Sequence, residues 1–304
     1  MNTATIPAPP PRAQVILAFA TVYLVWGSTY LAIRVAVETM PPFLLAGVRF
    51  LIAGALMLGW LRLRGMALPD ARRWFHSAIA GILMLLGGNG LVVWAEQTVS
   101  SSLAALLVAL TPVWFALLDW SHPAGKRPAT YTVFGILIGF GGVALLVSGH
   151  KSGVPLSQNP WGVAALVSAG FFWAAGSLWS RYNGKSDSPW MNAALQMICG
   201  GAALLLLSWM RGEPQHFNLN RASTVSWLAL LYLVVFGSWI GFSAYVWLLK
   251  VSTPARVTTY AYVNPVVAVV LGCLVLGEPL GVRTLWAAAV ILVGVIITTL
   301  PKPN

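Results

Sequence analysis

The sequence predicts an all-α integral membrane protein of ten transmembrane helices, arranged as two inverted five-helix repeats with N- and C-termini cytoplasmic. Three observations predict it. The 304 residues are 58% hydrophobic and only 8% charged, against roughly 25% charged in a soluble domain. Apolar runs of the ~20 residues that cross a ~30 Å hydrocarbon core follow one another with short polar breaks. Residues of the first half also recur in the second at a nearly constant spacing.

Hydropathy places the spans at 13–36, 42–61, 75–95, 101–119, 130–148, 161–180, 189–210, 223–248, 255–276 and 281–300. The first follows a Pro-rich segment, Ile6 to Pro11, and Arg12. Its apolar run is longer than a signal-peptide core and lacks an A-x-A exit, so it reads as a retained helix. Every join is short, which predicts a compact bundle whose backbone groups are satisfied internally, since lipid offers no partners.

A net charge of +11 in a soluble protein would suggest nucleic acid. Here the basic residues sit between apolar runs, where they orient helices in the bilayer, and no nucleic-acid partner is expected. With the N-terminus inside, the cytoplasmic face holds 12 Lys and Arg: Arg12, Arg62, Arg64, Arg72, Arg73, Lys126, Arg127, Arg181, Lys185, Lys250, Arg256 and Lys302. The outer face holds 6: Arg34, Arg49, Lys151, Arg211, Arg221 and Arg283. Cys199 and Cys273 fall inside apolar stretches and form neither a disulfide framework nor a metal cluster, so no metal or other cofactor is expected.

Trp26, Pro42 and Gly54 recur 147 residues later as Trp173, Pro189 and Gly201. Trp94 and Thr111-Pro112 recur 153 later as Trp247 and Asn264-Pro265, while Gly125, Gly142 and Val143 match Gly277, Gly294 and Val295 at 152. This divides the chain into residues 1–148 and 149–304. Five helices per half is an odd number, so the second half enters the membrane from the opposite face. Inverted repeats of this kind bind solute near the midplane at the repeat interface and alternate access by rocking. A duplication kept only for packing is the alternative.

Trp26-Gly27-Ser28-Thr29-Tyr30, Pro41-Pro42 and Arg49-Phe50 resemble the opening of the EamA family of the drug/metabolite transporter superfamily. Leu106 to Pro112 resembles that family's fourth-helix pattern, and Asn264-Pro265 followed by Leu276-Gly277-Glu278 its ninth. The resemblance spans essentially the whole chain. It implies a ten-helix fold of two inverted five-helix repeats in the bacterial inner membrane, and export of amino acids or other metabolites from the cytoplasm. Within the family the chain is similar to the YddG-type aromatic amino-acid exporters. Gly125-Lys126 departs from the pattern, which often has G-E there.

Polar groups within the membrane are costly and are functional candidates by default. Helical spacing aligns Trp26 with Tyr30, Asn89 with Val93 and Glu96-Gln97, Trp173 with Ser177, Trp239 with Ser243, and Tyr260 with Asn264; Gln196 stands apart. Asn89, Gln97, Gln196 and Asn264 are candidates for the polar ends of an amino acid. Trp26, Trp173, Trp239 and Tyr260 are candidates for an aromatic wall and a cation–π contact with its ammonium. On this reading the site needs no fixed charge and selectivity is broad. The competing reading makes the aromatics interfacial anchors and the amides interhelical glue.

Pro112 and Pro265, inside apolar helices, are candidate hinges with Gly87, Gly88 and Gly90. The G-x-x-x-G pairs Gly135/Gly139 and Gly237/Gly241 permit close packing within the chain or between copies, so monomer and homodimer both stay open. The acidic residues Glu38, Asp70, Glu96, Asp119, Asp187, Glu213 and Glu278 lie near helix ends, and Glu96 is the candidate if export is coupled to protons. Facilitated export is the preferred expectation, with proton antiport and export of drugs or other metabolites as alternatives. His76, His122, His150 and His216 lie in or beside loops, and no H-E-x-x-H or G-x-S-x-G occurs. An enzyme is therefore not expected, and a channel is the harder rival.

Overall fold

The computed structural model describes residues 10–123, 130–147, 159–183, 188–252, 254–277 and 281–299. Gly125, Lys126, Arg127, the boundary at 148/149, His150, Lys151, Lys185, Asp187, Glu278 and Lys302 lie outside the described residues. Among those described the secondary structure is entirely helical. The helices are α1 (Arg12–Ala36), α2 (Pro42–Leu63), α3 (Ala71–Ala95), α4 (Ser101–Val108 and Thr111–Ser121), α5 (Thr130–Val147), α6 (Pro160–Asn183), α7 (Pro189–Met210), α8 (Thr224–Val251), α9 (Tyr260–Leu276) and α10 (Val282–Thr299). Seven of the described helices, α1 to α4 and α6 to α8, are long and apolar enough to cross a membrane; Val263–Leu276 and Leu285–Gly294 are shorter apolar stretches.

Local signals account for the ends. Proline at the first turn opens α2 and α7, where a missing N–H costs nothing. Asp70 Oδ1 accepts from the Arg73 N–H at 3.0 Å to cap α3. The α2 amides of Phe43 and Leu44 are met from outside the helix by the Glu213 carboxylate, with Leu44 N–H donating at 2.8 Å. Arg34 closes the other end of α3, donating to the carbonyls of Glu96 and Gln97.

The packing repeats itself. α2 lies against α7 and α5 against α10; α1 packs on α9 as α6 does on α4, and α3 on α6 as α8 does on α1. Exchanging each helix for the one five places on carries this pattern into itself. Small residues let the seams close: a Cβ on Gly201 of α7 would lie 2.7 Å from Leu51 N of α2, and one on Gly294 of α10 would lie 2.5 Å from Gly139 N of α5. Gly135/Gly139 therefore belongs to a seam within the chain. So does Gly237/Gly241, against Arg49 and Trp26.

Large apolar side chains such as Leu24, Leu56, Phe134, Leu206, Leu231 and Leu274 are exposed on the outside of the bundle, where lipid is their natural solvent. Trp60, Trp120, Trp161, Trp190, Trp209, Trp227 and Trp286 are exposed near helix ends, as expected of interfacial belts.

Two features go beyond the hydropathy pattern. α3 and α8 each widen at mid-length into a π-helical stretch, Ile82–Gly90 and Leu233–Phe242, at corresponding places in the two halves. Such stretches recur at functional sites. α4 and the approach to α9 are broken instead, at residues 109–110 and 258–259.

Candidate functional site

Where the two halves meet, the π-helical stretches and α1, α2, α4, α6 and α9 line a cavity of about 70 Å³. It is lined by Trp26, Thr29, Tyr30, Ile33, Arg49, Phe50, Gly88, Asn89, Val92, Val108, Ala169, Trp173, Gly237, Phe242 and Tyr260. A 150 Å³ apolar cavity is of the size that takes a benzene ring. At this volume an aromatic solute requires the walls to part.

The wall is a connected set of rings. The repeat-related Trp26 and Trp173 meet edge to face with centroids 5.3 Å apart. Tyr245 lies 4.8 Å from Trp26 and 5.5 Å from Trp173, and Tyr260 lies 5.4 Å from Trp26. Their polar atoms are held as well: Trp26 Nε1 donates to Gly237 O at 3.1 Å, and Trp173 Nε1 to the Tyr245 hydroxyl at 3.0 Å. Gly241 permits this, since a Cβ there would lie 2.7 Å from Trp26 Nε1.

Two further lining residues carry a polar atom without a hydrogen-bond partner. Asn89 is half-buried in the π-helical part of α3, and its Oδ1 has no hydrogen-bond partner. Arg49, in α2, is 3% exposed. Its Nε donates to Ser238 Oγ at 2.6 Å and its guanidinium lies 4.6 Å from the Phe50 ring centre, while Nη1 has no hydrogen-bond partner. Glu96 is fully buried and within electrostatic range of Arg49 and Tyr30.

Of the residues singled out from sequence, Trp26, Tyr30, Asn89, Trp173 and Tyr260 thus share one cavity. The structure places the others elsewhere. Gln97 lies past the end of α3, exposed, with its amide donating to Trp94 O at 3.0 Å. Trp239 is half-buried away from the cavity, and Ser243 donates to Met57 Sδ at 3.5 Å. For Trp239 and Ser243 the cause is the wider winding, since a face projected at 3.6 residues per turn drifts across a π-helical stretch; Gln97 lies beyond Ala95, where the helical winding of α3 ends. Val92 rather than Val93 joins Asn89, and Gly237 and Phe242 rather than Trp239 and Ser243 reach the cavity.

Ser177 keeps its alignment with Trp173 but sits one turn deeper, bonded to the Tyr245 hydroxyl at 2.8 Å. The amide of Asn264, in the orientation its neighbours satisfy, donates to Tyr23 O and Tyr260 O and so joins α9 to α1. Gln196 lines a separate polar vestibule of about 350 Å³ with Asp70, Arg73, His76, Ser180 and Asn192. Along α6, Trp173 faces the cavity and Ser180 the vestibule. The Trp173–Ser177–Tyr245 hydrogen bonds lie between them.

The candidate hinges also divide. Pro112 lies in the first turn of the second segment of α4, just after a break, whereas Pro265 lies inside α9. Gly87 and Gly88 bring α3 against Phe172 and Trp173, and Gly90 against Leu204. They are close-packing positions in this conformation. Sequence reasoning missed Arg49, counted above as an outer-face charge, and Tyr245. For Arg49 the signal was present, because it stands 147 residues before Gln196, in the repeat register that relates the tryptophans.

A duplicated helical bundle with apolar outer faces and a polar-aromatic cavity at the repeat interface defines a multi-pass membrane transporter. The chain matches the EamA-like transporter family over residues 13–148 and again over 160–300, and it belongs to that family, within the drug/metabolite transporters. It is 40% identical over 289 residues to the inner membrane transporter YedA of Escherichia coli (strain K12), covering 94% of this chain and 90% of YedA. It is 25% identical to Protein PagO of Salmonella typhimurium, covering 96% and 94%. A solved crystal structure at 22% identity shares the fold, with a TM-score of 0.68 over 94% of this chain and 96% of the other.

Proposed function

We propose that the protein exports neutral amino acids, aromatic ones included, from the bacterial cytoplasm across the inner membrane. It works by alternating access between two inverted five-helix repeats, residues 1–148 and 149–304, with both termini cytoplasmic. The observation that carries this reading is the cavity itself, in which rings from both halves share the lining with Asn89, whose Oδ1 has no hydrogen-bond partner. Rings hold an apolar side chain and attract an ammonium over their faces, and an amide oxygen accepts from that ammonium.

The orientation is supported by the withdrawal of Arg49 into the bundle, which leaves 12 basic residues inside against 5 outside. The small cavity and the Trp173–Ser177–Tyr245 layer above the vestibule fit an occluded stage of the cycle. In that cycle the vestibule is the cytoplasmic entrance and the layer opens to admit solute.

Counterflow tests the reading. Liposomes carrying the purified protein and preloaded with unlabelled phenylalanine should take up labelled phenylalanine above empty liposomes, with inhibition by threonine. Uptake of a cationic drug in place of phenylalanine would move the chain to the drug exporters, and non-saturable flux would make it a channel. Export is facilitated unless an imposed pH gradient drives accumulation and Glu96→Gln abolishes it.

A further inference from the structure

We propose that Arg49 is the anchor for a substrate carboxylate, so that the cavity accepts solutes carrying a carboxylate and rejects the corresponding amines. This rests on the cavity being the solute site and narrows the class of solute it takes.

A buried cation is costly inside a membrane protein, and its cost falls only when each donor is engaged. Arg49 is held on one side by Ser238 and stacked on Phe50, yet Nη1 has no hydrogen-bond partner and the residue lines the cavity. Its place in the fold does not demand a charge. The counterpart in the second half is the neutral Gln196, 2% exposed and held likewise by a serine, with Nε2 donating to Ser180 Oγ at 2.8 Å. The charge is thus particular to the half whose residue reaches the cavity. Glu96 offsets the cation electrostatically but is not among the cavity residues, so a bound solute meets the guanidinium.

A planar guanidinium suits a carboxylate better than any other side chain does. Asn89, also in the cavity lining, offers an unpartnered acceptor in Oδ1. Donor and acceptor together match the two ends of a zwitterion, and the rings match its side chain. The amide-and-aromatic site expected from sequence thus gains a fixed charge.

The test measures ligand-induced thermal stabilisation of the purified full-length protein by phenylalanine, 3-phenylpropionate and phenethylamine. Phenylalanine and 3-phenylpropionate should stabilise it, and phenethylamine should bind at least about tenfold more weakly. In Arg49→Gln both acids should weaken by about 10- to 100-fold, the loss of a charge-assisted hydrogen bond, while phenethylamine, relieved of a like charge, holds or strengthens. Equal stabilisation by phenethylamine, or unchanged phenylalanine affinity in Arg49→Gln, overturns the anchor. Binding of 3-phenylpropionate without phenylalanine sustains the anchor and refutes the amino-acid reading. Binding of phenethylamine alone does the reverse to the anchor while leaving a solute cavity in place. Binding of none of the three refutes both. Should Arg49→Gln not fold, the wild-type ligand series still decides, and Arg49→Lys, which keeps the charge and loses the planar fork, should retain the preference for acids.

Discussion

Gly201→Ala puts the packing frame of the cavity to the test. The new Cβ would lie 2.7 Å from Leu51 N, 3.1 Å from Gly47 O and 3.2 Å from Leu51 Cα, against about 3.5 Å or more for an ordinary contact. All three partners are backbone atoms of α2, which cannot swing aside as a side-chain tip can, so α2 and α7 must separate along their length. Gly59→Ala is the control, because it lies on the exposed face of the same α2 with nothing within 4 Å of its added Cβ. Both variants share the roughly 1 kcal/mol that alanine gains over glycine in a helix. Their difference isolates the clash, about 1–3 kcal/mol for overpacking a tight contact. Thermal unfolding in detergent, at one protein concentration and one heating rate, should place Gly201→Ala several degrees below Gly59→Ala. Equal midpoints would mean that α2 and α7 do not touch at this level, and the lining of the cavity by both halves would fall with that contact.

Tyr245→Phe removes the hydroxyl that bonds Trp173 Nε1 and Ser177 and should destabilise the protein by about 1–3 kcal/mol, the cost of stranding a buried donor; unchanged unfolding would dissolve the proposed layer between cavity and vestibule. Trp26→Phe loses the indole bond to Gly237 O, and phenylalanine counterflow should drop at least about tenfold for the same kind of loss, more than in Trp286→Phe at the exposed surface. Asn89→Leu should weaken phenylalanine but not 3-phenylpropionate, which lacks the ammonium, and equal effects on both would assign Asn89 to packing. Glu213→Ala strips the cap from two α2 amides and from Ser208 Oγ. It should lower stability by about 1–2 kcal/mol without altering substrate preference, which a competition assay would check.

Much of the candidate cavity's lining was legible because its aromatics obey the repeat. Trp26 and Trp173 were paired by a spacing of 147 and do meet, and Tyr30 followed Trp26 by one turn of a regular helix. The polar half was legible only in part. Asn89 was found because an amide in an apolar run is conspicuous, but its supposed companion Gln97 was projected past Ala95, where the helix ends. Arg49 was missed for the opposite reason: arginine seven residues from a helix start reads as a charge reaching back to the surface, and only packing shows that it turns inward.

The sequence by itself determined the membrane class, the positions of the apolar helices to within a few residues, and the duplication. These depend on solvent preference and chain spacing, which are additive along the chain. The tertiary structure decided the winding of α3 and α8, the choice of cavity over vestibule for each polar group, and the burial of Arg49. Those depend on which faces of distant helices approach, and a π-helical stretch or an inward arginine is stable only once Gly237, Ser238 and Phe50 are beside it.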